Sequence, residues 1–262
     1  MHRLLKCWLP AARKIIGIAL TVIIASTGVA QETPKPDAKK PTAPADGKQV
    51  VAVPDEVVSD FVLPPRQGKS ETIRLFNGKD LTGWMGHEKY WTVRDGEIIG
   101  SNSKPVKVST YLLTERSFTD FRLLATVKLI KDKIHSGVVF WGRVAPERGD
   151  KYTFAGHLLM FPYDWGLYDV YGRSWLYKDD GRAKKAGQDH EWNELEIVAR
   201  GNRIRMAING ADVLDWRDPS PKALYEGPIG LQLHANKVPQ EIHYKDLVVT
   251  TFPTDELVTV KK

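Results

Sequence analysis

Only one cysteine, Cys7, occurs in 262 residues, and it stands inside a hydrophobic leader. The rest of the chain therefore has no disulfide framework, no thiol nucleophile and no cysteine metal site. A Gly-rich phosphate loop, a His-Glu-x-x-His helix and a Gly-x-Ser-x-Gly elbow are all missing, which removes the commonest nucleotide, zinc-protease and serine-hydrolase readings. No amphipathic helical pattern stands out, and no repeat of fixed period suggests a propeller. Positive charge is also scarcer than the net +6 implies. Arg3, Lys6, Arg13 and Lys14 fall in residues 1–30 with no acid among them, and without them the net charge is +2. Lys178, Arg182, Lys184 and Lys185 surround Asp179 and Asp180, as in a solvated loop. Nothing here forms a nucleic-acid surface.

What is present falls into four parts. Residues 1–30 have a basic start, an apolar run from Ile15 to Ala25 and small residues to Ala30. This is the pattern of a signal peptide, with cleavage expected after Ala30. An uncleaved anchor is the alternative, although an apolar run of about 11 to 16 residues falls short of the roughly 20 that span a bilayer. The expected result is an exported protein, periplasmic or extracellular, with no stable membrane span. Residues 31–70 are rich in Pro, Lys and Ala and read as a disordered tether, with Val57 to Leu63 apolar enough to dock on a domain. Residues 71–252 form the folded domain, and 253–262 a C-terminal tail.

The domain opens on Ile73 to Trp84, where an apolar strand meets Asn77-Gly78 and a Trp anchor. Asn-Gly supplies positive φ for a sharp turn, so this stretch reads as an entry hairpin or corner. About a dozen short strands follow. Asp95-Gly96, Gly201-Asn202 and Asn209-Gly210 are hairpin turns. Phe118 to Ile130 places Phe121, Leu123, Ala125, Val127 and Leu129 on one face of a strand by period two. Ser136 to Trp141 and His157 to Phe161 are continuous apolar runs. The expectation is all-β, a jelly-roll β-sandwich.

Several motifs carry a family resemblance over Thr72 to Thr251. LFNGKDLTGW at 75–84 is followed by Trp91-Thr92-Val93-Arg94-Asp95-Gly96, then Asp120-Phe121-Arg122-Leu123, His135-Ser136-Gly137-Val138, Glu191-Trp192-Asn193, Ile208-Asn209-Gly210 and Gly230-Leu231-Gln232-Leu233-His234. In this order they resemble the 3-keto-disaccharide hydrolases and 3-keto-glucoside-1,2-lyases. The resemblance implies a concanavalin-like jelly roll, exported, that acts on an oxidised disaccharide or glycoside. Two departures stand out. Leu158 and Met160 stand where the family places Glu and Gln, and Trp141 where it often has Arg, with Arg143 two residues on.

The implied chemistry has a clear demand. A sugar with a ketone at C3 has an acidic C2 proton, and removing it lets the oxygen on C1 leave by elimination. A base, an acid and a donor for the enolate are needed. Histidine can serve as acid or base near neutral pH. His234 follows Gln232 by two, so both face one side of a strand. His135 begins a strand beside Ser136-Gly137, and His157 lies in an apolar run. His234, His135 and His157 are the catalytic candidates. Gln232, Trp165, Asp164, Trp141 and Arg143 are the binding candidates, with Trp165 beside Asp164 as a sugar-stacking pair. Trp175 and Trp216 read as core, and His87 and His243 as surface. The three candidate histidines could hold a metal, but spacing assigns none, and a cofactor is not legible. No carboxylate pair emerges for an ordinary glycosidase. A non-catalytic carbohydrate-binding or envelope protein on the same fold is the alternative.

Overall fold

The computed structural model describes residues 60–131, 135–161 and 165–261. The leader, most of the tether and Asp164 lie outside the described residues. In chain order the strands are β1 (Thr72–Arg74), β2 (Trp84–Met85), β3 (Trp91–Arg94), β4 (Glu97–Asn102), β5 (Thr110–Phe118), β6 (Phe121–Lys131), β7 (Ser136–Val144) and β8 (Phe154–Phe161). They continue as β9 (Gly166–Val170), β10 (Ser174–Lys178), β11 (Asn193–Arg200), β12 (Arg203–Ile208), β13 (Ala211–Arg217), β14 (Gly227–Leu233) and β15 (Gln240–Thr251). A short helix, α1 (Arg182–Ala186), separates β10 from β11.

These strands form two antiparallel sheets. The first has the order β13-β12-β11-β6-β15-β4-β3, with β1 also paired to β15. The second has the order β10-β9-β8-β7-β14-β5-β2. Strands distant in sequence lie side by side, β6 with β15 and β7 with β14, which is the jelly-roll connectivity expected. Period two decides what each sheet buries. On β6, Phe121, Leu123, Ala125, Val127 and Leu129 all point into the core. Phe140, Leu159, Phe161 and Leu231 answer from the second sheet. Phe121 meets Phe140 edge-on at 5.6 Å between ring centres. Asp95-Gly96 and Asn209-Gly210 turn their hairpins with both residues at positive φ, the type I′ geometry that matches strand twist. Phe118 ends β5 and does not begin β6, because the chain turns at Thr119-Asp120.

The opening stretch is a corner between sheets. β1 pairs with β15 in the first sheet, whereas β2 pairs with β5 in the second. Asn77 Oδ1 accepts hydrogen bonds from the amides of Lys79 and Asp80, and Trp84 Nε1 donates to Leu75 O at 2.8 Å. Asn77 and Asp80 are thus occupied in holding the turn.

Both flanks of the domain are tied down. The Asn202 side chain accepts from Leu63 N and donates to Phe61 O. At the other end, Glu196 is fully buried and pairs with Arg122 at 2.9 Å. It also accepts from Val258 N, Thr259 N and the Thr259 hydroxyl. Residues 254–259 are therefore strapped over the outer face of the first sheet. His243 also lies on that face. It is buried between Glu97 and Glu241 rather than placed at the surface.

Candidate functional site

The outer face of the second sheet carries an apolar cluster separate from the main core: Tyr111, Leu113, Val139, Phe154, Leu158 and Met160. Glycines let these side chains lie flat. A Cβ on Gly137 would come within 2.5 Å of Leu158 Cδ1, and one on Gly230 would collide with Leu113 and Val139. The result is a cleft of about 380 Å³ across β5, β14, β8, β9 and β10, within the size range of small-molecule sites.

Its two sides differ in chemistry. One side is polar and comes from β14, β5 and the start of β7: Gln232, His234, Ser109, Tyr111 and His135. Ile229, Leu231 and Leu233 bury the opposite face of β14, so Gln232 and His234 both turn outward. Ser136 is buried, and its hydroxyl donates to Gln232 O at 2.7 Å. That bond ties the start of β7 to β14 and sets His135 beside His234. The two imidazole rings lie 4.2 Å apart between centroids, at 62°. Gln232 is 2% exposed. Its Nε2 donates to the Tyr111 hydroxyl at 3.2 Å, while its Oε1 is buried without a partner among the described residues. Burial pushes the Tyr111 hydroxyl well above its ordinary range, against a smaller opposing effect of Gln232. Tyr111 is therefore a neutral phenol.

The other side is apolar. Leu158 and Met160 form the floor, and Tyr168, Val170 and Trp175 the wall. Tyr168 and Trp175 meet edge to face at 5.7 Å. Tyr171, at the β9–β10 turn with φ 57°, stands at the rim.

Of the expected site residues, His135, Gln232 and His234 come together. His157 does not join them. It faces the core side of β8, is 1% exposed and stacks on Phe140. Its Nε2 lies 2.7 Å from Asp218 Oδ2 and its Nδ1 3.2 Å from Trp141 O. Arg173 grips the same Asp218 through two nitrogens at 2.6 and 2.8 Å. Burial acts to raise the Asp218 carboxyl, but Arg173 and then His157 outweigh it and hold it far below the usual carboxylate range. This is a structural network. Because His157 points away from the cleft, the three histidines do not share a metal site. Among the described residues no cluster of three or more His, Cys, Asp or Glu could hold a metal ion.

Trp141 and Trp165 also belong to the core. A bulge between Phe140 and Gly142 puts Trp141 at φ 48° and turns its ring inward, where Nε1 donates to Thr119 O. Trp165 is 5% exposed and packs on Phe161. Arg143 is exposed, pairs with Glu147 at 2.6 Å and borders a smaller hollow beside the cleft. Trp175, expected in the core, is 37% exposed and lines the cleft, because β10 is an edge strand covered on one side only. Sequence reasoning also passed over Ser109, Tyr111, Tyr168 and Tyr171. The signal for Tyr111 was its alternation with Leu112, which put it on the outer face.

A family model described as a 3-keto-alpha-glucoside-1,2-lyase-like domain matches residues 71–250. Two solved structures from Parabacteroides distasonis ATCC 8503, each described as a candidate glycosyl hydrolase, share the fold. One is 19% identical, with a TM-score of 0.51, and covers 70% of this chain and 94% of its own. The other is 17% identical, with a TM-score of 0.50, and covers 70% of this chain and all of its own. No curated protein matches the chain.

Proposed function

Because the chain belongs to the 3-keto-alpha-glucoside-1,2-lyase-like family, we propose that it cleaves glycosides whose sugar carries a ketone at C3. The observation that carries this reading is the pair of imidazoles 4.2 Å apart at the polar end of the cleft. One imidazole takes the C2 proton, and the electrons of that bond form the C2–C3 enolate. The enolate collapses to a C1–C2 double bond as the bond from C1 to the glycosidic oxygen breaks. The second imidazole gives a proton to the departing oxygen. Gln232 donates to the Tyr111 oxygen, which leaves the phenol's own hydrogen free to meet the ketone oxygen as charge develops there. Gln232 Oε1, buried and unmatched, accepts from a sugar hydroxyl. Water added across the new double bond would make the overall reaction a hydrolysis.

The test is incubation of the purified protein with a 3-keto-disaccharide. Release of free sugar, or of a 2-hydroxy-glucal product, supports the reading, and an inert substrate panel counts against it. One observation favours a second reading, a carbohydrate-binding protein without turnover: no carboxylate lines the cleft among the described residues. Tight glycan binding without product would select it. Export belongs to the same proposal, since residues 1–30 have the composition of a cleaved leader. N-terminal sequencing of protein from the cell exterior or periplasm checks it, with a start near Gln31 expected.

A further inference from the structure

The polar and apolar sides of the cleft pose a question that cleavage alone leaves open: what leaves? The cleft's histidines, its glutamine and its serine all stand on the β5–β14 side with Tyr111, at Ser109, His135, Gln232 and His234. The opposite side, on β8, β9 and β10, is floored by Leu158 and Met160, which are 3% and 4% exposed and offer no hydrogen-bonding atom. Its wall is Val170 with the edge-to-face pair Tyr168 and Trp175. The polar atoms on that side belong to the aromatic residues Tyr168, Tyr171 and Trp175. A second sugar would find hydrogen-bonding partners only at the aromatic wall, and each hydroxyl buried against Leu158 or Met160 would go unmatched, at roughly 1 to 3 kcal/mol. A flat apolar group would lose no hydrogen bonds there and would bury its faces against Leu158, Met160 and the Trp175 ring.

We propose that this protein is selective for 3-keto-glycosides whose leaving group is a flat, apolar, aromatic alcohol rather than a second sugar. This rests on the cleavage reading, because it places the sugar on the polar side and the scissile oxygen at the border between the two. The substrate class is then an aryl 3-keto-glucoside, with the phenolic ring against β8–β10 and the sugar against β14.

The experiment compares two substrates on the purified full chain, phenyl 3-keto-glucoside and 3-keto-trehalose. The expected result is a kcat/KM higher by at least about tenfold for the aryl substrate, the equivalent of about 1.4 kcal/mol. A disaccharide preference, or equal rates, overturns the proposal. The phenol leaving group is intrinsically better than a sugar alcohol, so the site's own part is read from variants. Trp175→Ala should lower the aryl-to-disaccharide ratio by about fivefold or more, the scale of lost aromatic packing. An unchanged ratio would overturn the assignment. Leu158→Glu should lower the same ratio, and if that variant fails to fold, Trp175→Ala at the half-open rim still decides. If neither substrate is cleaved, the cleavage reading fails, and calorimetric binding of the same two molecules judges the leaving-group side by itself. Tighter aryl binding would uphold the apolar side, and equal binding would overturn it.

Discussion

His157 lies within β8 and His234 just past the end of β14, both beside apolar residues, and their surroundings separate them. His234 turns to the cleft, and replacing it or His135 by Asn should lower kcat by about 10² to 10⁴ while leaving the melting transition in place. Steady-state kinetics beside a thermal melt would show both. His157 turns to the core, where its loss removes one partner of the buried Asp218 carboxylate and leaves it with Arg173 and the Ser220 amide. His157→Ala should destabilise the fold by roughly 3 kcal/mol, seen as a lower urea midpoint, with turnover per folded molecule unchanged. Asp218 adds a pH signature. Its carboxyl is depressed in the folded state, so its contribution is complete above the unfolded value of about 3.9 and is lost as pH falls below it toward the lower folded value. Thermal melts of the wild type and Asp218→Asn should therefore differ by a constant amount from neutral pH down to about pH 4, and converge in stronger acid.

At the scale of elements, period two revealed much of what matters. The faces of β6 and β14 follow from their alternation, and so does the pairing of Gln232 with His234. Alternation failed at the bulge in β7. One extra residue there reverses the phase, so Trp141, expected to face outward with the binding groups, points inward. Gly142, directly after Trp141, is the one mark of that bulge in the sequence, and a lone glycine in a strand is easily passed over. The C-terminal strap was equally hidden. Its polar, Thr-rich composition reads as a tail, and only the burial of Glu196 shows what it covers. A chain ending at Thr251 would leave Glu196 and Arg122 without those partners. It should lose roughly 3 kcal/mol of stability, measurable by chemical denaturation, whereas a strap that contributes nothing would leave the midpoint where it was. Gly137 is the corresponding point in the cleft floor. Gly137→Ala forces its new methyl onto Leu158 and Leu159 O and should cost about 1 to 3 kcal/mol.

For the whole molecule, the all-β class was legible because hairpin turns and alternation recur along the chain. The division of the cleft into polar and apolar sides was not, because it depends on which distant strands become neighbours. Edge strand β10 looks like a weak core segment until the second sheet's order places it at the rim. The same long-range order sets the folding rate. β1 pairs with β15, Thr72 opposite Thr250, so the sandwich closes only after nearly the entire domain has been gathered. Refolding monitored by tryptophan fluorescence should take milliseconds to seconds or longer, in the range of β-sandwiches with non-local pairing.

That same pair of strands has an architectural consequence. The domain's first and last strands are hydrogen-bonded neighbours, so the polypeptide enters and leaves the sandwich at one place. A domain with adjoining ends can be spliced into a surface loop of another protein without pulling its host apart. With a linker long enough to run from Lys261, held at Gly210 O, back to Phe61 at Asn202, a new opening could also be cut at an exposed turn such as Asp95-Gly96. The fold is in that sense a portable cassette, with its cleft carried on the opposite sheet from the splice.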